Sequence, residues 1–151
     1  EFALRREAAV HRCAGSRALD IGTGSGVLAI AAVKLGIENG VGLDIDPCAV
    51  AEARHNVRLN GLAGRIEISD RGLEGLDGLF SLVVANLRLP TLARLAAAIA
   101  ALTMPGAALV ISGVQQEEQA AVVAAYGRQR FECVWSVAED RWVGLVLNKT
   151  G

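Results

Sequence analysis

Short apolar runs alternate with longer stretches of helical spacing along this chain. Mostly apolar runs of strand length lie at Arg17 to Asp20, Gly40 to Asp44, Arg65 to Ser69, Leu79 to Ala85 and Ala107 to Ser112. Between them the spacing predicts helices over Gly26 to Leu35, Pro47 to Leu59, Thr91 to Thr103 and Gln115 to Tyr126, with another over Phe2 to Cys13 at the start. Strands alternating with helices are the mark of βαβ units, so the pattern predicts an α/β domain with helices on both faces of a mostly parallel sheet. Asp46 is a natural N-cap, Pro47 suits a first helical position, and Asn60-Gly61 supplies a stop. Leu92, Leu95, Ile99 and Leu102 make one apolar face, which Met104-Pro105-Gly106 is expected to end. The carboxyl-terminal stretch RFECVWSVAEDRWVGLVLNK breaks the alternation. Its two extended runs, joined through Ala138-Glu139-Asp140-Arg141, predict an antiparallel hairpin that closes one sheet edge, with Trp135 and Trp142 covering core.

Composition narrows the partners more than the fold. At 151 residues the chain is the size of one domain, and with 52% hydrophobic but only 4% aromatic residues its core must be built from Ala, Val, Leu and Ile. The net charge is −1 with no basic block beyond Arg5-Arg6, which leaves no footprint for nucleic acid or an anionic membrane. Cys13, Cys48 and Cys133 are widely spaced and odd in number, so neither a disulfide framework nor a zinc site is expected, and a reduced cytoplasmic setting fits. The longest apolar window, Leu92 to Ile111, is broken by Arg94 and by Pro105-Gly106, which argues against a membrane span. His11 and His55 sit among charged neighbours and read as solvated surface; Cys48 reads as a small packing residue.

The candidate chemistry starts at ALDIGTGSGVLAIAA. The apolar run ends at Asp20, and Gly22, Thr23, Gly24, Ser25 and Gly26 form the turn into the next helix, at the sheet edge where open α/β folds bind ligands. Two cofactors compete for that loop. A dinucleotide fingerprint fails in the register starting at Gly22, because Val27 stands where the third small residue belongs. The register Gly24-Ser25-Gly26 with Ala29 does satisfy it, and Asp44 lies twenty residues on, but it begins four residues past the strand end. A carboxylate at Asp20 would repel a pyrophosphate, whereas it could accept a hydrogen bond from an ammonium or its water. S-adenosylmethionine carries an ammonium and no phosphate, so the loop favours it. Asp44, at the end of the second strand, suits bidentate bonds to ribose hydroxyls, Ile45 could cover one adenine face, and Asp70 offers a polar group where the adenine amine would lie. Asn86 ends the fourth strand and is the candidate catalytic residue, receiving and aligning an acceptor amine. Arg88 just beyond it reads as a solvated loop cation.

With these residues in view, the blocks ALDIGTGSGVLAIAAVKLG, VGLDIDPCAVAEARHNVRLNG, FSLVVANL, LVISGV and EDRWVGLVLNK resemble the catalytic domain of the PrmA family of ribosomal protein methyltransferases. The resemblance implies a Rossmann-like class I methyltransferase fold with a seven-stranded sheet. It also implies that Asp20, the loop Gly22 to Gly26, Asp44 and Asn86 line the cofactor and transfer site. The family's separate amino-terminal domain, which presents the ribosomal protein, has no counterpart before the first helix, so the expectation is a single domain over 1–151. The expected activity is methyl transfer from S-adenosylmethionine to a nitrogen, in the first place a protein amine. A small-molecule or RNA methyltransferase of the same fold, or a non-catalytic cofactor-binding module, are the alternatives. No metal is expected.

Overall fold

A computed structural model describes residues 15–151; the helix expected over Phe2 to Cys13, with His11 and Cys13, lies outside them. Seven strands form one sheet: β1 (Arg17–Ile21), β2 (Asn39–Leu43), β3 (Ile66–Ser69), β4 (Phe80–Asn86), β5 (Thr103–Gln115), β6 (Phe131–Glu139) and β7 (Trp142–Lys149). Their order is β3-β2-β1-β4-β5-β7-β6, with β1 to β5 parallel and β7 antiparallel to both its neighbours. The helices are α1 (Val27–Lys34), α2 (Pro47–Leu59), α3 (Leu89–Leu102) and α4 (Gln119–Gly127), with single 3-10 turns at Leu73–Gly75 and Gln116–Glu118.

The central strands are buried on both faces, and their alternate residues feed different layers. Leu19, Ile21, Val83 and Ala85 join Leu92, Ile99, Val122 and Tyr126 of α3 and α4 in one cluster, whereas Ala18, Leu82 and Val84 meet Ala32 of α1 on the other side. A second cluster on that side packs Ile30 and Val33 of α1 against Val50, Ala53 and Val57 of α2 and Ile66 and Ile68 of β3. The Asp46 cap is present, accepting from the Cys48 N–H at 2.9 Å, with Pro47 opening the helix.

Three expectations fail at the far end of the sheet. Helix α3 ends at Leu102 and the chain enters β5 at once, so Met104-Pro105-Gly106 lies inside a strand instead of acting as a stop. Thr103 makes this possible: its hydroxyl donates to the Ile99 carbonyl at 2.6 Å while its backbone pairs with Phe80. Gln115 is the last residue of β5, not the first of a helix, and its N–H donates to Glu118 Oε2 at 2.9 Å in a capping box that delays α4 to Gln119. The hairpin forms as expected, but β7 inserts beside β5 and leaves β6 as the edge. Trp135 and Trp142 are 37% and 39% exposed and do not cover core, because the buried face of β7 carries Val143, Leu145 and Leu147 instead. Cys48 is exposed, not packed, and His55 is exposed as expected.

The strand order reverses between β1 and β4. The connections leaving their carboxyl ends run to opposite sides, and a crevice opens there. The glycine loop leaves β1 and the stretch Leu87-Arg88 leaves β4 at that crevice, with Ile21 paired to Ala85.

Candidate functional site

Each glycine of the loop meets a different demand. Gly22 has φ +73°, and a Cβ there would stand 2.8 Å from Leu87 Cδ2, so the two connections close on each other only because position 22 has no side chain. Gly26, at φ +83°, backs onto Ala53 of α2, where a Cβ would lie 3.2 Å from its neighbour's. Gly24, at φ +53°, has open space where a Cβ would stand. The loop is pinned by the Gly22 and Thr23 N–H groups, which both donate to the Leu43 carbonyl at 2.8 Å, and by Asn56 of α2, whose side-chain amide donates to Ser25 O at 2.9 Å. Thr23 itself is buried in a space kept by Gly42, where a Cβ would come within 2.8 Å of Thr23 Oγ1.

Two carboxylates brace this loop in contrasting ways. Asp20 is fully buried; its Oδ2 accepts from the Thr23 hydroxyl at 2.6 Å and the Ala29 N–H at 3.1 Å, while Oδ1 has no partner among the described residues. Burial pushes its carboxyl up to about 6, against the pull of those two hydrogen bonds and with a small push from the charge of Asp44. Asp44 is half-buried. Its Oδ2 accepts from the Gly24 N–H at 2.9 Å and its Oδ1 from the Asp46 N–H at 3.0 Å, so the end of β2 is tied to the barest point of the loop. Each oxygen keeps a lone pair for a ligand hydroxyl.

A cleft of about 450 Å³ opens beside them. Ile21, Gly22, Leu43, Asp44 and Ile45 form one wall, Arg71 to Glu74 a second, and Leu87 with Thr91, Arg94, Leu95 and Ala98 a third. It exists because β3 is joined to β4 through one short 3-10 turn and not a helix, which leaves the β2 side of the sheet thinly covered next to α3. Ile45 is 94% exposed, an apolar side chain held out at the cleft wall with nothing packed on it. Asp70 is exposed at the end of β3 and does not line the cleft, whereas Glu74 four residues on does.

Across the switch point, Asn86 is exposed at the end of β4, paired with Ser112 of β5. Gly113, at φ +78°, makes room for it: a Cβ there would sit 2.5 Å from Asn86 Oδ1 and 3.1 Å from the Leu87 backbone nitrogen. Arg88 is not merely solvated. Its guanidinium lies 5.9 Å from the centroid of Trp142, which Arg141 approaches at 5.5 Å, so the hairpin tip is linked to the β4 loop. The structure therefore gathers Gly22, Asp44 and Ile45 at one cleft, with Gly24 tied to Asp44 and Asn86 beyond Leu87, sets Asp20, Thr23 and Gly26 behind the loop as its support, and leaves Ser25 holding α2. Asn56, Gly42, Gly113 and Glu74 escape a reading by motif; the first three act on a residue far away in sequence or through a missing side chain, Glu74 stands in an irregular turn with no motif of its own, and for Gly113 the one signal is a glycine just after an apolar run.

The sheet order, the layers and the loop at the β1 end define the Rossmann-like fold of class I methyltransferases. The structure superposes on a ribosomal protein L11 methylase from Lactobacillus delbrueckii subsp. bulgaricus with a TM-score of 0.84 at 27% identity, covering 98% of this chain and 78% of that one. An RNA methyltransferase from Salinibacter ruber, solved in complex with S-adenosyl-L-homocysteine, shares the fold with a TM-score of 0.74 at 21% identity, over 97% of this chain and 88% of that one. The profile of the family described as ribosomal protein L11 methyltransferase (PrmA) matches residues 7–150, and the chain belongs to that family. Ribosomal protein L11 methyltransferases from Geobacter sp. (strain M21) and Geobacter sulfurreducens are 45% and 42% identical to it over 134 and 135 residues, 89% of this chain in both cases. Those stretches are 43% and 44% of the relatives, so the chain spans less than half of their length.

Proposed function

We propose that this chain carries the S-adenosylmethionine site and the transfer site of a protein N-methyltransferase whose acceptor is a ribosomal protein, as the names of its relatives suggest. The observation that carries the reading is the hydrogen bond from Gly24 N–H to Asp44 Oδ2: it joins the glycine loop to a ribose-type acceptor that lines a cleft of suitable size. The residues fit the cofactor. Asp44 would hold the ribose hydroxyls, Ile45 and Leu87 the faces of the base, and the bare loop at Gly22 and Gly24 the amino-acid end. The unpartnered Oδ1 of Asp20 offers a buried acceptor for an ammonium, directly or through one water, where a pyrophosphate would be repelled. When bound, S-adenosylmethionine supplies a methyl group on a positively charged sulfur.

The protein's share is positioning. An acceptor lysine has an ordinary pKa of about 10.4, so it must arrive or become neutral before nitrogen attacks carbon. Asn86, held at the strand end in the space left by Gly113, presents a carbonyl oxygen that accepts from the amine N–H and turns its lone pair inward, with no cation of its own to oppose the charge that develops. The described residues form one continuous sheet, which we read as one catalytic domain. We place it in the cytoplasm, where ribosomal proteins are made and where an exposed thiol such as Cys48 stays reduced.

The test is transfer of labelled methyl to purified ribosomal protein L11, read by intact mass, for the wild type and Asn86→Ala. The expected result is turnover that falls by roughly 100-fold or more in the variant with S-adenosylhomocysteine affinity held within about 3-fold. Unchanged turnover in the variant would remove Asn86 from the transfer site.

A further inference from the structure

Resting on the protein-acceptor reading above, we propose that Arg88 and Arg141, both held over Trp142, bind a carboxylate of the acceptor protein beside the transfer site and so select which amine reaches Asn86. The two guanidiniums lie 5.9 Å and 5.5 Å from the centroid of one indole, and among the described residues neither pairs with a carboxylate. A ring attracts the cation without taking up its N–H groups, which stay available for a planar, bidentate partner, and a carboxylate matches that fork. Arg88 follows Asn86 by two residues, at most about 7 Å along the chain, so the docking point and the transfer point share one short connection.

Arg88 does not serve its own helix. It is the N-cap of α3 and makes no side-chain hydrogen bond to the first N–H groups there, and its charge stands at the positive end of the helix dipole, where a cation is disfavoured. The floor beside it is apolar. Trp142 is 39% exposed, and the exposed Val137 stands on the same face of the hairpin, across from Gly144, where a Cβ would lie 3.7 Å from Val137 Cγ1. An apolar floor with cations at its rim fits a protein segment that brings an apolar side chain and a carboxylate together. A nucleic acid fits it less well, because Glu139 and Asp140 adjoin Arg141 at the hairpin tip and oppose a run of phosphates.

The experiment measures methyl transfer to purified ribosomal protein L11 as a function of its concentration, for the wild type, Arg88→Lys and the double variant Arg88→Ala with Arg141→Ala, each also titrated with S-adenosylhomocysteine. The double variant should raise KM for the acceptor by roughly 10-fold, with kcat and S-adenosylhomocysteine affinity within about 2-fold of the wild type, a split that mere loosening of the β4 loop would not produce. Arg88→Lys keeps the charge but not the planar fork, and its KM should fall between the two. A hexaglutamate peptide should inhibit the wild type by competing with the acceptor and should lose that effect in the double variant. An unchanged KM in the double variant, a loss confined to kcat or to cofactor affinity, or stronger inhibition by an oligouridylate than by hexaglutamate would overturn the assignment. No transfer to the ribosomal protein by a wild type that binds S-adenosylhomocysteine would instead overturn the acceptor reading on which the assignment stands.

Discussion

The two sides of the switch point are built on different physics. On the β5-β7 side, buried polar groups are matched: the Tyr126 hydroxyl donates to the Leu92 carbonyl at 3.1 Å and Thr103 to Ile99, inside layers of Leu109, Ile111, Leu145 and Leu147 that exclude solvent almost completely. On the β1-β2 side, a carboxylate is buried with one oxygen unmatched, and two loop glycines hold left-handed conformations against Leu87 and Ala53. Burying a charge without full pairing costs stability, which a scaffold bears where a ligand completes the set. The contrast assigns stability to one side and binding to the other.

Asp44→Ala should break the contrast most severely. It removes the proposed ribose acceptor and the Gly24 tether together, and two charge-assisted hydrogen bonds to the ribose at about 2 kcal/mol each imply a loss of S-adenosylhomocysteine affinity of roughly a thousandfold by calorimetry, with little change in unfolding midpoint. Next comes Asp20→Asn. With a folded pKa of about 6 against 3.8 for the ordinary carboxyl, the native state holds a proton that the unfolded chain releases between those values. This group's contribution therefore falls as pH rises from about 4 to 6, by up to about 3 kcal/mol at 1.36 kcal/mol per unit. In urea unfolding at pH 8 the asparagine variant should equal or exceed the wild type in stability, its advantage vanishing near pH 4, while it binds the cofactor more weakly. Tyr126→Phe should have the smallest effect, about 1 kcal/mol in the same assay from the lost buried hydrogen bond, with ligand affinity unchanged.

What the sequence shows of the site follows the same division. The loop, Asp44 and the Asp46-Pro47 helix start are legible because each signal lies within a few residues of the structure it specifies. Thr103 to Gly106 misleads because the pairing of Thr103 with Phe80 of β4 overrides a local stop signal, and the tryptophans mislead because hydrophobic size says nothing about which face of an edge hairpin is covered. Gly42, Asn56 and Gly113 stay hidden for a related reason: they shape the site across strand pairs or helix contacts, by space or by one long-range hydrogen bond. Glu74 differs again, since it stands five residues beyond the strand end where a motif-based reading looks for the base contact.

The most direct test of the central claim is a calorimetric titration of the wild-type protein with S-adenosylhomocysteine and, separately, NAD. Binding of the first on the order of micromolar, with no heat from the second, is the result expected from a loop supported by Asp20 and tied to Asp44. Binding of NAD alone would contradict the account, because it would require a pyrophosphate to settle where the structure places a buried carboxylate.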